Sequence, residues 1–119
     1  MKKKTDKNYL TYKGENYELA FNLNVMEEIQ DAYGTVEAWG ELVESDAEPK
    51  VEPKAKDIKF GFMAMLNEGI DIYNEEHDDK REFLTDKQVG RIVSEVGLQE
   101  VAKMLNKTVI DSTKSDEKN

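Results

Sequence analysis

Hydrophobic residues alternate with polar ones near the start of the chain and follow a helical repeat in most of the rest. The segments 9–12 and 17–21 are rich in aromatic and aliphatic residues, and the turn-like stretch Lys-Gly-Glu-Asn at 13–16 separates them. This pattern predicts a β-hairpin. Because a two-stranded ribbon is marginal alone in water, its apolar face should pack on helices. That face is formed by Tyr17, Leu19 and Phe21.

Two short helices are predicted after the hairpin. Asn24 and Glu27 have the spacing of a capping box, and Gly34 is suited to end the helix that they begin. Thr35 would cap the second helix, whose apolar stripe includes Trp39, the single tryptophan of the chain. We interpret Trp39 as a core anchor, with a partner-binding hot spot as the alternative.

A third helix is predicted from about residue 57 to residue 75, with apolar residues around most of its circumference. It should therefore be the central and most buried helix. Its remaining narrow face has the small residues Gly61 and Ala64 at one end and acidic residues at the other. The simpler interpretation is a solvated edge. The alternative is that Gly61 and Ala64 let a neighbouring subunit or a helix of a client protein approach closely.

The clearest local signature is the capping box of Thr85 and Gln88, which predicts a helix start. The apolar stripe that follows stops at Gly97 and then resumes, so two final helices should be joined there. Residues 111–119 contain nothing apolar and are expected to form a disordered tail. The predicted fold is mainly α, with an N-terminal two-stranded β-hairpin packed on a bundle of about four to five helices in a single domain, 9–110.

Two further segments have little to bury. Residues 1–8 are rich in lysine, and ordering them would cost more entropy than their contacts return, so we expect a flexible N-terminus. Residues 45–56 contain two prolines four positions apart, which exclude a regular helix across the stretch. We expect a surface loop there, either a mobile connector or a partner-contacting segment.

Charge and composition narrow the class of protein. The 119 residues include 17 basic and 26 acidic side chains, and the net charge of −9 repels phosphate backbones, so nucleic acid is a poor partner. No apolar run approaches the roughly 20 residues of a membrane span, and no signal-peptide pattern follows Met1, so we expect no membrane association and a cytoplasmic location. The absence of cysteine excludes disulfides, thiolate metal sites and cysteine nucleophiles.

Candidate chemistry is sparse. The single histidine, His77, lies among acidic residues, but their spacing matches no calcium-loop pattern, so a solvated acidic run is the better interpretation. The seven glycines occur singly and form no phosphate-binding loop. No serine or threonine stands in a glycine-flanked nucleophile elbow. We therefore predict no catalytic residue, no metal site and no cofactor, and expect that the protein is not an enzyme.

The order of elements resembles that of the tail assembly chaperones of long-tailed bacteriophages. The segment 17–24 runs from the hairpin directly into a helix that ends at Tyr33-Gly34, similar to the opening of that family. The apolar helix at 58–73 and the Leu-Thr-polar start of a late helix at 84–90 continue the resemblance, which covers roughly residues 9–110.

This resemblance implies a non-virion protein that binds the tape-measure protein, or another tail protein, and keeps it soluble during tail assembly. A homo-oligomer is also compatible with the resemblance. The partner-binding residues that we predict are aromatic or lie on a small-residue face: Tyr12, Trp39, Gly61, Ala64 and Tyr73. The alternative function is an acidic helical inhibitor or DNA mimic, which requires carboxylates along an exposed face at phosphate-like spacing. An enzyme is the third choice and requires a deep pocket with converging polar groups.

Overall fold

The computed structural model describes residues 8–44 and 54–117. Within them the chain forms an antiparallel two-stranded hairpin packed on five α-helices, as the sequence predicts. The elements in chain order are β1 Asn8–Tyr12, β2 Glu15–Leu19, α1 Leu23–Tyr33, α2 Val36–Val43, α3 Ala55–Glu76, α4 Asp86–Val96 and α5 Leu98–Glu117. The expectations for residues 1–7, 45–53 and 118–119 lie outside the described residues.

The hairpin turn is tighter than the predicted stretch 13–16. All five residues of β1 pair with β2, which leaves only Lys13 and Gly14 between the strands. Both turn residues have positive φ, 51° and 81°, as a two-residue type I′ turn requires. Leu19 is buried and Phe21 packs partly buried against the core, so the predicted apolar face does contact the helices.

Both ends of the described chain contain more regular structure than the sequence indicates. The flexible N-terminus predicted up to Asn8 is wrong for Asn8 itself, which begins β1. The disordered tail predicted from Asp111 is also wrong as far as Glu117, because α5 continues to that residue. Asp111 accepts hydrogen bonds from Lys107 at 2.8 Å and from Asn8 at 3.3 Å, so polar contacts join this part of α5 to β1.

The N-cap of helix α1 lies two positions earlier than the predicted cap, Asn24. The cap is Asn22, whose Oδ1 accepts from the amide of Val25 at 3.3 Å. Asn24 lies inside the first turn, and its side chain instead donates to Glu68 on α3 at 3.1 Å. Gly34 ends α1 with a φ of 89°, as predicted.

Helix α3 is the central helix. It begins at Ala55, so the predicted loop does not extend to Lys56; the helix starts as soon as the last proline of the sequence is passed. It packs against β2 and each of the other four described helices. Its buried positions confirm the prediction for this helix: Ile58, Gly61, Phe62, Met65, Leu66, Gly69 and Ile70.

Strand β2 meets α3 backbone to backbone at Gly69. A Cβ atom at Gly69 would overlap the carbonyl oxygen of Glu18 and lie 3.0 Å from its carbonyl carbon. One turn earlier on α3, the carbonyl of Met65 accepts from the amide of Ala20 at 3.2 Å. The glycine therefore permits the close approach that positions the hairpin on the central helix.

The last two helices form as predicted. Thr85 and Gln88 make both hydrogen bonds of the capping box, at 2.8 and 3.2 Å, and α4 ends at Gly97 with a φ of 106°. One hydrophobic cluster includes residues of the hairpin and of every helix. No helix in the described part of the chain is both long and apolar enough to cross a membrane.

Candidate partner-binding surface

An open groove of about 330 Å³ runs along one side of α3, and we call it the α3 groove. Its apolar part is formed by Phe60, Met63 and Ala64 of α3, which are half-buried, and by Phe83, which is 53% exposed. Three carboxylates form what we call its acidic rim: Glu28 of α1 with Glu68 and Asp71 of α3. Asn67 completes the lining. The groove thus combines apolar contact area with negative charge.

Phe83 occupies a segment that two asparagines of α3 hold in place. Asn67 makes a reciprocal pair with the backbone of Leu84, accepting from its amide at 2.8 Å and donating to its carbonyl at 3.0 Å. Asn74 makes the same pair with the backbone of Arg81, at 2.8 and 3.0 Å. Because both backbone attachments flank Phe83, this side chain is exposed on a fixed segment rather than on a free loop.

The side chain of Arg81 ties the same segment to the hairpin. Its guanidinium lies 4.2 Å from the ring centroid of Tyr73 and 5.7 Å from that of Tyr17. It also donates to the carbonyl of Asn16 at 2.9 Å and pairs with Glu15 at 3.3 Å. The segment before α4 is therefore attached at one end to the hairpin and along its length to α3.

The acidic rim carries charge that is only partly compensated. Glu68 accepts from the side-chain amides of Asn22 and Asn24 at 2.8 and 3.1 Å, and both bonds use its Oε2. Partial burial raises the pKa of Glu28, and repulsion from the Glu68 carboxylate raises it further. The two carboxylates therefore repel each other across the groove, and a cation between them would be stabilised.

Two of the predicted partner-binding residues lie in the core, against each other. Trp39 is 2% exposed, and its Nε1 donates to the carbonyl of Asp57 at 3.0 Å, so it is the core anchor that we favoured. A Cβ atom at Gly61 would overlap Cζ2 of Trp39 and lie 2.9 Å from its Cε2. The space beside Gly61 is thus filled by the chain's own tryptophan, and no helix of another molecule can enter it.

The predicted solvated edge of α3 is also covered at this end. The hydroxyl of Tyr33 donates to the carboxylate of Asp57, and the ring of Tyr33 meets Phe60 edge to face at 5.5 Å. Burial, together with the hydrogen bond to Asp57, raises the pKa of Tyr33 to about 12. Helices α1 and α2 therefore close the first part of this face, and the α3 groove begins at Phe60.

The other three predicted residues have separate surroundings. Ala64 lines the α3 groove. Tyr73 is half-buried beside Arg81, and its hydroxyl donates to Asp79 at 2.9 Å, which raises the pKa of the tyrosine. Tyr12 is half-buried at the hairpin end, where it lines a smaller cleft with Arg91. The structure therefore brings only Ala64 to the groove.

His77 acts as a stacking partner in this structure. Its ring lies 3.9 Å from that of Tyr73 with an interplanar angle of 10°, and its Nδ1 is 3.0 Å from the carbonyl of Tyr73. Among residues 8–44 and 54–117, no three histidine, cysteine or carboxylate side chains stand close enough to ligate a metal ion. The same holds for the three carboxylates of the acidic rim.

Sequence reasoning missed Phe83, Asn67 and Asn74. Phe83 follows a polar stretch and belongs to no apolar repeat, so periodicity assigns it no role. The spacing of Asn67 and Asn74, two helical turns apart, was the available signal, because it places both side chains on one face of α3. This spacing could be used only with the knowledge that residues 81–84 run along the same face of α3.

No protein-family model matches this chain, and comparison with curated proteins and with solved structures finds no match either.

Proposed function

We propose that this protein is a tail assembly chaperone of a long-tailed bacteriophage, which binds the tape-measure protein in the host cytoplasm without catalysis or a cofactor. The observation that supports it most directly is the α3 groove, where Phe83 is held 53% exposed beside the half-buried apolar residues of α3. An apolar surface that the fold keeps open and rigid is suited to covering an apolar stripe of another protein.

The charge of the chain fits the same role. A tape-measure protein is a long helical chain with apolar stripes that associate when they are left uncovered. A small partner that covers such stripes and carries a net charge of −9 keeps the complex dispersed through mutual repulsion. The same charge opposes binding to nucleic acid and to anionic lipid surfaces.

The test is co-expression with the client. The candidate client is a neighbouring gene product that is very long, helical and repeat-rich, and the measurement is its soluble fraction with and without this protein. We expect the client to become soluble and to co-purify. Phe83→Ser should reduce both effects, while Leu23→Ser, which removes a 66% exposed leucine outside the groove lining, should leave them unchanged.

Two results would contradict the proposal. One is a client that stays insoluble although this protein is folded and abundant. The other is displacement of a bound host protein by duplex DNA, which would support the alternative function, an acidic inhibitor that mimics DNA.

A further inference from the structure

The α3 groove has features that specify the chemistry of its occupant. Phe60, Met63 and Ala64 lie at i, i+3 and i+4 on α3 and so form one continuous stripe on that helix. The small side chain of Ala64, the last residue of this stripe, leaves room for another backbone to approach, while Phe83 borders the opening. Apolar side chains spaced one helical turn apart would match a stripe of this kind, as in helix-in-groove recognition.

The charges that line the groove all have the same sign. Glu28, Glu68 and Asp71 are its only ionisable residues among those that the structure describes there. The amide donors of Asn22 and Asn24 both occupy Oε2 of Glu68, so Oε1 accepts from neither. Repulsion between Glu28 and Glu68 remains, and an incoming cation would relieve it.

The carboxylates of the rim are divided between two helices, with Glu28 on α1 and Glu68 and Asp71 on α3. They form no metal-ligating group within the described chain, which opposes a divalent cation as the occupant. Lysine or arginine on either side of an apolar stripe would meet carboxylates at separate points along the groove. Complementary charge of this kind favours the correct partner and penalises an acidic one.

We propose that the α3 groove binds an amphipathic helix whose apolar stripe is flanked by lysine or arginine, with one cationic side chain placed between Glu28 and Glu68. This inference rests on the proposed function, because it describes the client segment that the chaperone covers. It adds to that function a location, a secondary structure and a charge for the bound segment.

The test uses the full chain and two dye-labelled helical peptides of about 20 residues, long enough to span the groove lining on α3 from Phe60 to Asp71. Both carry the same leucine stripe, flanked by lysine in one peptide and by glutamate in the other. Fluorescence anisotropy gives the two dissociation constants. We expect the lysine peptide to bind at least about tenfold more tightly, with affinity falling as salt is added.

Substitutions in the groove test whether the preference for the lysine peptide arises there. Phe83→Ser should weaken binding of the lysine peptide by about tenfold, since it removes the exposed aromatic anchor. The double variant Glu28→Gln with Asp71→Asn should abolish most of the preference for lysine. A matched control, Glu41→Gln with Glu95→Gln, removes the same charge from exposed positions on α2 and α4 and should preserve the preference.

The outcomes separate this inference from the proposed function. Equal affinity for both peptides, an equal effect of the two double variants, or no peptide binding by a protein that still solubilises its client would overturn the groove assignment alone. Selective peptide binding by a protein that does not solubilise the client would support the groove assignment and refute the chaperone function.

Discussion

Gly61 and Ala64 are small residues three positions apart on α3, and their surroundings are opposite. Trp39 from α2 fills the space beside Gly61, whereas the space beside Ala64 is an open groove. A small residue on a helix therefore marks a close approach without saying whether the approaching group belongs to the same chain. On α3 both answers occur within one turn, and only the positions of α2 and of the segment before α4 decide between them.

We call the part of α3 around Gly61, which Trp39 covers, its closed side, and the part around Ala64 its open side. The closed side should contribute more to the free energy of unfolding. Trp39→Ala removes a side chain that is 2% exposed and makes a hydrogen bond to the backbone of Asp57. The cavity and the lost contacts should lower the free energy of unfolding by about 3–5 kcal/mol. Urea denaturation followed by circular dichroism measures this, since the tryptophan fluorescence is lost with the substitution. A loss below about 1 kcal/mol would mean that Trp39 is not a core residue.

Gly61→Ala tests the same contact from the other helix. The added Cβ would overlap the indole of Trp39, which is enclosed by the core and has little room to move. We expect a loss of about 1–3 kcal/mol by overpacking, although alanine has the higher helix propensity. Gly40→Ala on α2 is the control, because a Cβ there meets nothing within 4 Å. If Gly61→Ala stabilises the protein as the control should, the indole does not occupy this space.

These positions also show what the sequence could and could not predict. The Thr85 capping box and the ends at Gly34 and Gly97 depend on residues within a few positions of each other, and all three predictions are confirmed. The cap of α1 was misplaced because Asn22 and Asn24 have equivalent side chains. Both donate to Glu68, more than 40 residues away, and only Asn22 also accepts from a backbone amide of α1, that of Val25, so the neighbouring sequence alone does not identify the cap.

The groove was harder to predict because it too depends on contacts between residues that are far apart in the sequence. Its exposed aromatic, Phe83, is positioned by side chains of α3 that bond to the backbone of a returning segment. Such bonds leave no hydrophobic repeat in the sequence. Four of the five predicted binding residues lie elsewhere, because an aromatic or small residue in a short chain has more ways to serve the core than to face a partner.

The position of Phe83 on the open side should depend on Asn67, which bonds the backbone of Leu84. Asn67→Ala leaves the half-buried amide and carbonyl of Leu84 without their side-chain partner, which should cost about 1–2 kcal/mol. The effect on hydrogen exchange at single amides should be clearer than the effect on the free energy of unfolding. Hydrogen exchange at the Leu84 amide should accelerate, while the Arg81 amide, which bonds Asn74, should change less.

Asn106→Ala, at an exposed position of α5, controls for the loss of an asparagine from a helix. Equal acceleration at Leu84 and Arg81 would show that the whole segment opens as one unit, so that neither asparagine fixes Phe83 separately.

Ala64→Met separates binding from stability at the groove. The long, flexible side chain can extend into the opening, so the free energy of unfolding should change by less than about 1 kcal/mol. Binding of the lysine-flanked peptide should weaken, because the methionine occupies part of the groove. Ala32→Met, at an exposed position of α1, should affect neither quantity. A large loss of stability in Ala64→Met would place Ala64 on the closed side with Gly61.

The smallest effect concerns the acidic rim. The folded-state pKa of Glu28 is raised above its ordinary value of 4.5, so this carboxyl favours folding when it is protonated. That contribution is fully present below the unfolded pKa and is lost as the pH rises through the folded pKa. Glu28→Gln, which is neutral at every pH, should therefore be more stable than the parent at pH 7 by a few tenths of a kcal/mol.

The difference should shrink as the pH falls toward 4, where the parent carboxyl becomes protonated as well. Urea denaturation of both proteins at the two pH values measures it. Glu27→Gln, an exposed neighbour outside the groove lining, controls for the loss of one negative charge. The other ionisable groups of the groove, Glu68 and Asp71, are present in all three proteins. If Glu28→Gln and Glu27→Gln respond alike, the groove has no local excess of negative charge, and the preference for a basic helix loses its physical cause.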